Sequence, residues 1–103
     1  MTVYEQYGLP TLEVYIERML ESGMTEKEIT KDYYRTFLIL TDHIPLKIFE
    51  NFIENMATAS LAETFVVVIK FFKDVKVTYA EVLTARKTAR EEINRIESET
   101  ATE

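Results

Sequence analysis

The chain has no cysteine, one histidine, and only two glycines and two prolines in its 103 residues. Each shortage excludes something. Without cysteine there is no disulfide framework and no thiolate zinc site, which suits a reducing compartment. A lone His43, with no Cys, makes neither a zinc finger nor a Cys–His catalytic pair. So little Gly and Pro leaves too few turns for an all-β fold. Gly8 and Gly23 stand apart from each other, so there is no glycine-rich phosphate loop. Ser22, Ser60 and Ser98 have no Lys or His at motif spacing. A long apolar run is also missing: the richest, from Phe65 to Phe72, is broken by Lys70 and falls far short of the ~20 residues that span a bilayer. The start of the chain has no basic segment leading into an apolar one, so no secretory leader is expected.

What is there reads as a single small globular domain over 1–103. Hydrophobic residues make up 47% and charged residues 29%, enough for one core that hides roughly two-thirds of the unfolded chain's surface. The net charge of −6 is uneven. Residues 1–54 hold ten acids against five bases, while residues 55–103 hold eight against seven. One reading is a solvated acidic face. The other is an acidic part of one copy packing on a basic part of another. The acidity weighs against direct binding to nucleic acid, which runs on Lys and Arg contacts to phosphate.

Helix starts are spelled in one grammar. Thr25 to Glu28, Ser60 to Glu63 and Thr78 to Glu81 all read Ser/Thr-x-x-Glu, the capping box. Met24 with Ile29, and Val77 with Val82, add the apolar pair of a hydrophobic staple. Thr2 to Glu5 is a poorer version, cut short by Gly8 and Pro10. It is either one helical turn or an extended arm. Pro10 suits the first turn of a helix over 10–22, which Gly23 stops. A second helix follows from Thr25 to Leu40 with the stripe Ile29, Tyr33, Phe37 and Leu40. Asp42 is a cap candidate for a third helix running to Met56, with Pro45 in its first turn. The short Ala57–Ala59 link makes the fourth helix double back on the third.

That fourth helix, 60–75, is β-branched and aromatic, a composition strands prefer. It lacks a period of two, a Ser60 box opens it, and a lone strand would leave unpaired edges. It is apolar nearly all round, and such a helix is buried nearly all round. It reads as the central helix or as one wall of an oligomer. The fifth helix, from Thr78 to Glu97, repeats Val82, Ala89 and Ile96 every seven residues, with Tyr79, Arg86 and Ile93 between them. That is a coiled-coil-like seam with Arg86 in an apolar position. Residues 98–103 are polar and read as a disordered tail.

No active site emerges. Next to Asp42, His43 has the makings of a general base, but its place at a helix start beside Ile44 and Pro45 reads as structural. Glu50 and Glu54, one turn apart, lack the Glu-x-x-His companion of bundle metal sites. No catalytic residue, metal or cofactor is expected. Arg86 and Arg90 lie on or beside the seam. Either they snorkel past a thin apolar strip, or they form a salt bridge that sets helix register or a subunit contact, with Asp42, Glu50 or Glu54 as partners within the chain. Six Phe and six Tyr are many for so small a chain. The Phe read as core. Tyr4, Tyr7, Tyr15, Tyr33, Tyr34 and Tyr79 cannot all be core, and aromatic anchors are enriched at interfaces.

The segments Tyr34–Leu38, Thr41–Glu50 and Tyr79–Asn94 resemble short helical proteins encoded in the tail-gene region of phages and prophages of Gram-positive bacteria. Those carry Thr-Asp-Tyr-x-x-x-Lys-x-x-Glu and end in Tyr-x-x-x-Leu-x-x-Arg-x-x-x-Arg-x-x-Ile-Asn. This chain has His43 for the Tyr, Pro45 in the middle and an apolar insert over 51–77. The resemblance implies a virion or assembly component without enzymatic activity. It also gives Asp42, Lys47, Glu50, Arg86 and Arg90 a shared role in one polar network between the third and fifth helices. Together with Tyr79 these are the candidate interaction residues. The expected protein is an all-α bundle of four main helices with an amino-terminal arm, 1–9. It works by protein–protein contact as a homo-oligomer, not at a membrane, in the bacterial cytoplasm or the virion. The alternative is an acidic regulator that binds a host protein and imitates nucleic acid.

Overall fold

The structure is a computed structural model that describes residues 2–102, and among them it is all-α with no strand. Its helices are α1 (Val3–Gln6), α2 (Leu12–Leu20), α3 (Glu26–Thr41), α4 (His43–Thr58), α5 (Leu61–Lys73) and α6 (Ala80–Thr102). A π-helical turn, Asp74–Thr78, joins α5 to α6. The helices gather into two compact units. The first is made of residues up to Thr41 together with those from Thr84 onward. The second is Asp42–Leu83.

Caps set the starts. The Thr2 hydroxyl accepts the Glu5 amide, and the Glu5 side chain answers the Thr2 amide, so the arm holds one true helical turn. Thr25 accepts the Glu28 amide at 3.2 Å, and Ser60 accepts that of Glu63 at 3.3 Å. Each satisfies a donor that the first helical turn leaves orphaned. Two expected caps differ. Thr11, not Pro10, opens α2, and Pro10 lies outside the helix. Thr78 caps nothing, because it sits in helical backbone where Tyr79 N–H reaches back five residues to the Asp74 carbonyl at 2.9 Å. Gly23, at φ 88°, takes the left-handed conformation that follows α2.

In the first unit the buried side chains are Leu9, Ile29, Tyr33, Phe37, Thr41, Ala85, Ala89 and Ile96. The α3 stripe continues by four to Thr41, fully buried, and not by three to Leu40, which is 40% exposed. α6 runs antiparallel to α3, as Lys27–Glu99, Lys31–Glu97 and Arg35–Glu97 show at 3.6, 3.1 and 3.3 Å. It continues past the expected end at Glu97. Arg95 pairs with Glu92 and Glu99, and the Thr100 hydroxyl donates to the Ile96 carbonyl.

The tyrosines explain themselves here. Tyr4 packs on Phe37, Tyr33 and Tyr34 with ring centroids 4.7, 5.5 and 6.3 Å apart, and Tyr15 lies 5.2 Å from Tyr33. Tyr7 meets Phe37 edge-on. Five of the six tyrosines therefore clamp the arm and α2 onto α3, and do not wait for a partner. Tyr33, 1% exposed, gives its hydroxyl to the Pro10 carbonyl at 2.8 Å. Tyr15 gives its own to Asp32, which raises the Tyr15 pKa.

Burial, with Tyr4, Tyr34, Glu13 and Glu5 nearby, pushes the Tyr33 phenol up to about 12 from an ordinary 10.0. The folded chain thus holds a proton that the unfolded chain releases sooner. Stability should be full below pH 10 and fall as pH rises toward about 12. Urea unfolding followed by circular dichroism across that window should show the fall. Tyr33→Phe should lose part of the slope and cost about 1–2 kcal/mol at neutral pH through the orphaned Pro10 carbonyl. A flat profile in both proteins would contradict the assignment.

Candidate interaction surface

Two features stand out, one in each unit. In the first, Arg86 closes the end of α3. The last carbonyls of any helix lack partners. Arg86 Nη1 donates to the Leu38 carbonyl at 2.9 Å and to Thr41 Oγ1 at 2.7 Å. Thr41 Oγ1 in turn donates to the Phe37 carbonyl at 2.8 Å. A cation at a helix C-terminus also meets the negative end of the dipole. This bond pair makes Arg86 a cap for the end of α3.

Lys47 and Glu50 are exposed on α4, and Arg90 is exposed on α6. Among the described residues these three make no side-chain hydrogen bond or ion pair, whereas Asp42 does make an interaction. Asp42 is helical, with φ −58° and ψ −28°, and its side chain does not cap α4 as expected. Tyr79 is half-buried and ends the π turn. Exposed His43 opens α4. Among the described residues no three His, Asp or Glu side chains cluster as metal ligands.

The second feature is apolar. α4 and α5 form a hairpin whose seam is lined by Ile48, Asn51, Phe52, Asn55, Val67 and Phe71, with the Phe52 and Phe71 rings 4.6 Å apart. Away from that seam both helices carry more apolar surface. On α4, Leu46, Phe49 and Ile53 are 57%, 58% and 48% exposed. On α5, Leu61, Phe65, Val66, Ile69 and Phe72 range from 56% to 97% exposed, and α5 has no buried residue at all. The expectation of a helix buried nearly all round is therefore corrected. One seam covers one stripe, and α5 has two. The expected core Phe are corrected too: Phe37 is buried, while Phe49, Phe65 and Phe72 face water.

Taking roughly 150–250 Å² for each aromatic, and less for each aliphatic, the exposed apolar surface of α4 and α5 together amounts to on the order of 1,000 Å², the larger share of it on α5. Patches beyond a few hundred Å² mark interaction sites. Glu50 and Glu54 flank Phe49 and Ile53 around a shallow open concavity. The α4 ridge was not singled out from the sequence. Its signal was there in Leu46, Phe49 and Ile53 at spacings of three and four, on the side opposite buried Ile44 and Ile48. No helix among the described residues is long and apolar enough to cross a membrane. No protein-family model, curated protein or solved structure matches this chain.

The Arg86 cap carries its own test. Arg86→Met should cost about 2–3 kcal/mol, the range for a bond to a charged donor, read as a lower urea midpoint. Thr41→Val should cost less, and the double variant less than the sum, because the two groups share one bond. Strict additivity would show that they act separately.

Proposed function

We propose that the chain works by binding protein through the α4–α5 face, without catalysis, as a small self-associating structural or assembly protein. The phage and prophage tail-region proteins it resembles supply the setting, in the bacterial cytoplasm or the virion. The observation that carries the reading is α5: a capped, well-formed helix with five large apolar side chains in water. Such a face is costly alone and favourable once covered, at roughly 25 cal/mol per Å² before the costs of association. A regulator that imitates nucleic acid would work through its carboxylates and has no need of this face.

Light scattering across a concentration series should show association, and the melting temperature should rise with protein concentration. Ammonium sulfate should strengthen the complex, since it favours apolar burial. Phe65→Ser with Phe72→Ser should leave helical content and monomer stability within about 0.5 kcal/mol per site, because both rings are exposed, yet abolish association. A monomer at every concentration would contradict the reading. A complex with a host protein that weakens steeply with sodium chloride would favour the regulator instead.

A further inference from the structure

The α5 face has a pattern that points to its occupant. Leu61 and Phe72 lie equally far from the midpoint between Val66 and Val67, and so do Glu63 and Lys70. Phe65 and Ile69 fall within one residue, about 1.5 Å along the axis, of the same relation. Glu63 and Lys70 are seven residues apart on one edge of the apolar arc, and both are exposed. Reversing the helix about its centre thus exchanges apolar for apolar and acid for base. The hairpin as a whole is more mixed: its closed end carries Glu54 and Glu63, and its open end carries Lys47, Lys70 and Lys73 alongside Asp42 and Asp74.

We propose that α5 pairs antiparallel with α5 of a second copy about a two-fold axis near Val66. Resting on the protein-binding reading above, this assigns that face its partner. Leu61 seats against the partner's Phe72, Phe65 against the partner's Ile69, and Glu63 meets the partner's Lys70 at both ends. A two-fold interface needs the same patch to complement itself, which this one does and a one-signed patch would not. The α5 face supplies the contact by itself, at the lower end of the range of specific complexes, because the α4 ridge turns away from the seam on the other side of the hairpin. The charged edge fixes orientation, since a parallel pair would set Glu63 on Glu63 and Lys70 on Lys70.

The test is a charge exchange read by sedimentation equilibrium. Lys70→Glu alone, and Glu63→Lys alone, should each raise the dimer dissociation constant about tenfold or more at low salt, because each change acts twice. Mixing the two variants should restore a heterodimer of near wild-type affinity, and so should placing both changes in one chain. Glu63 also touches the Ser60 hydroxyl, so circular dichroism of each variant checks that α5 persists. Orientation is read separately. The chain has no cysteine, so Ala62→Cys and Lys73→Cys each supply a unique thiol. A short bismaleimide should link the mixed pair and neither variant to itself, as like sites would stand about 14 and 20 Å apart along the axis. A dimer indifferent to the exchange, or one in which the Ala62→Cys variant links to itself, would overturn the antiparallel register and leave the protein-binding reading standing. A chain that stays monomeric at all concentrations would remove both. A monomer that sediments with phosphatidylcholine vesicles would show that the face takes lipid, which also overturns the pairing.

Discussion

Two helices side by side share one seam, and a seam covers one stripe of each. That constraint governs the second unit. α4 and α5 meet along Ile48, Phe52, Val67 and Phe71. Everything apolar beyond that line has nothing in its own hairpin to pack against. α5 carries its surplus on a wide arc from Leu61 to Phe72, yet it is not a failing helix. Ser60 caps it, and Lys70 and Lys73 stand in its last turn, where the dipole favours them. It is a sound helix with a bare apolar face, and that combination is what the proposed association rests on.

The first unit is built the opposite way, with its surplus turned inward. The amino-terminal turn and α2 are too short to be stable as isolated helices. Tyrosines on them lie against Tyr33, Tyr34 and Phe37 of α3 and hold them in place. Tilted and edge-on ring pairs contribute about 0.5–1.5 kcal/mol each beyond the area they hide. Arg86 then closes the far end of α3, donating to the Leu38 carbonyl and the Thr41 hydroxyl in its last turn. The salt bridges between α3 and α6 are mostly exposed and contribute little one by one. Their antiparallel spacing fixes register more than it adds stability.

Much of this was legible in the sequence, and the misses have physical causes. The caps at Thr25 and Ser60 are local chemistry, so four residues suffice to find them. Thr78 spells the same grammar, but a cap needs extended backbone, and Thr78 lies inside the π turn that joins α5 to α6. The buried heptad Val82, Ala89, Ile96 was readable from its period. The phenylalanines were over-assigned to the core, because composition counts aromatics without saying which unit has room for them. Tyr33 is buried with its hydroxyl satisfied, while Phe65 is three-quarters exposed. The apolar character of α5 was plain, but whether its cover comes from the same chain depends on how many helices pack on it. Arg86 was marked as odd, yet a main-chain carbonyl and a threonine are among its partners, and no charge pattern reveals those. The alternation of Glu63 and Lys70 about Val66 was visible and carried no meaning until α5 proved bare.

The central claim is that α5 is covered by association and not by its own fold. Amide hydrogen exchange at low and high protein concentration measures this directly. Protection of residues 61–73 should rise with concentration while that of α3 stays constant. If α5 were as strongly protected as α3 at the lowest concentration, and indifferent to dilution, the face would not depend on a partner and the account would fail.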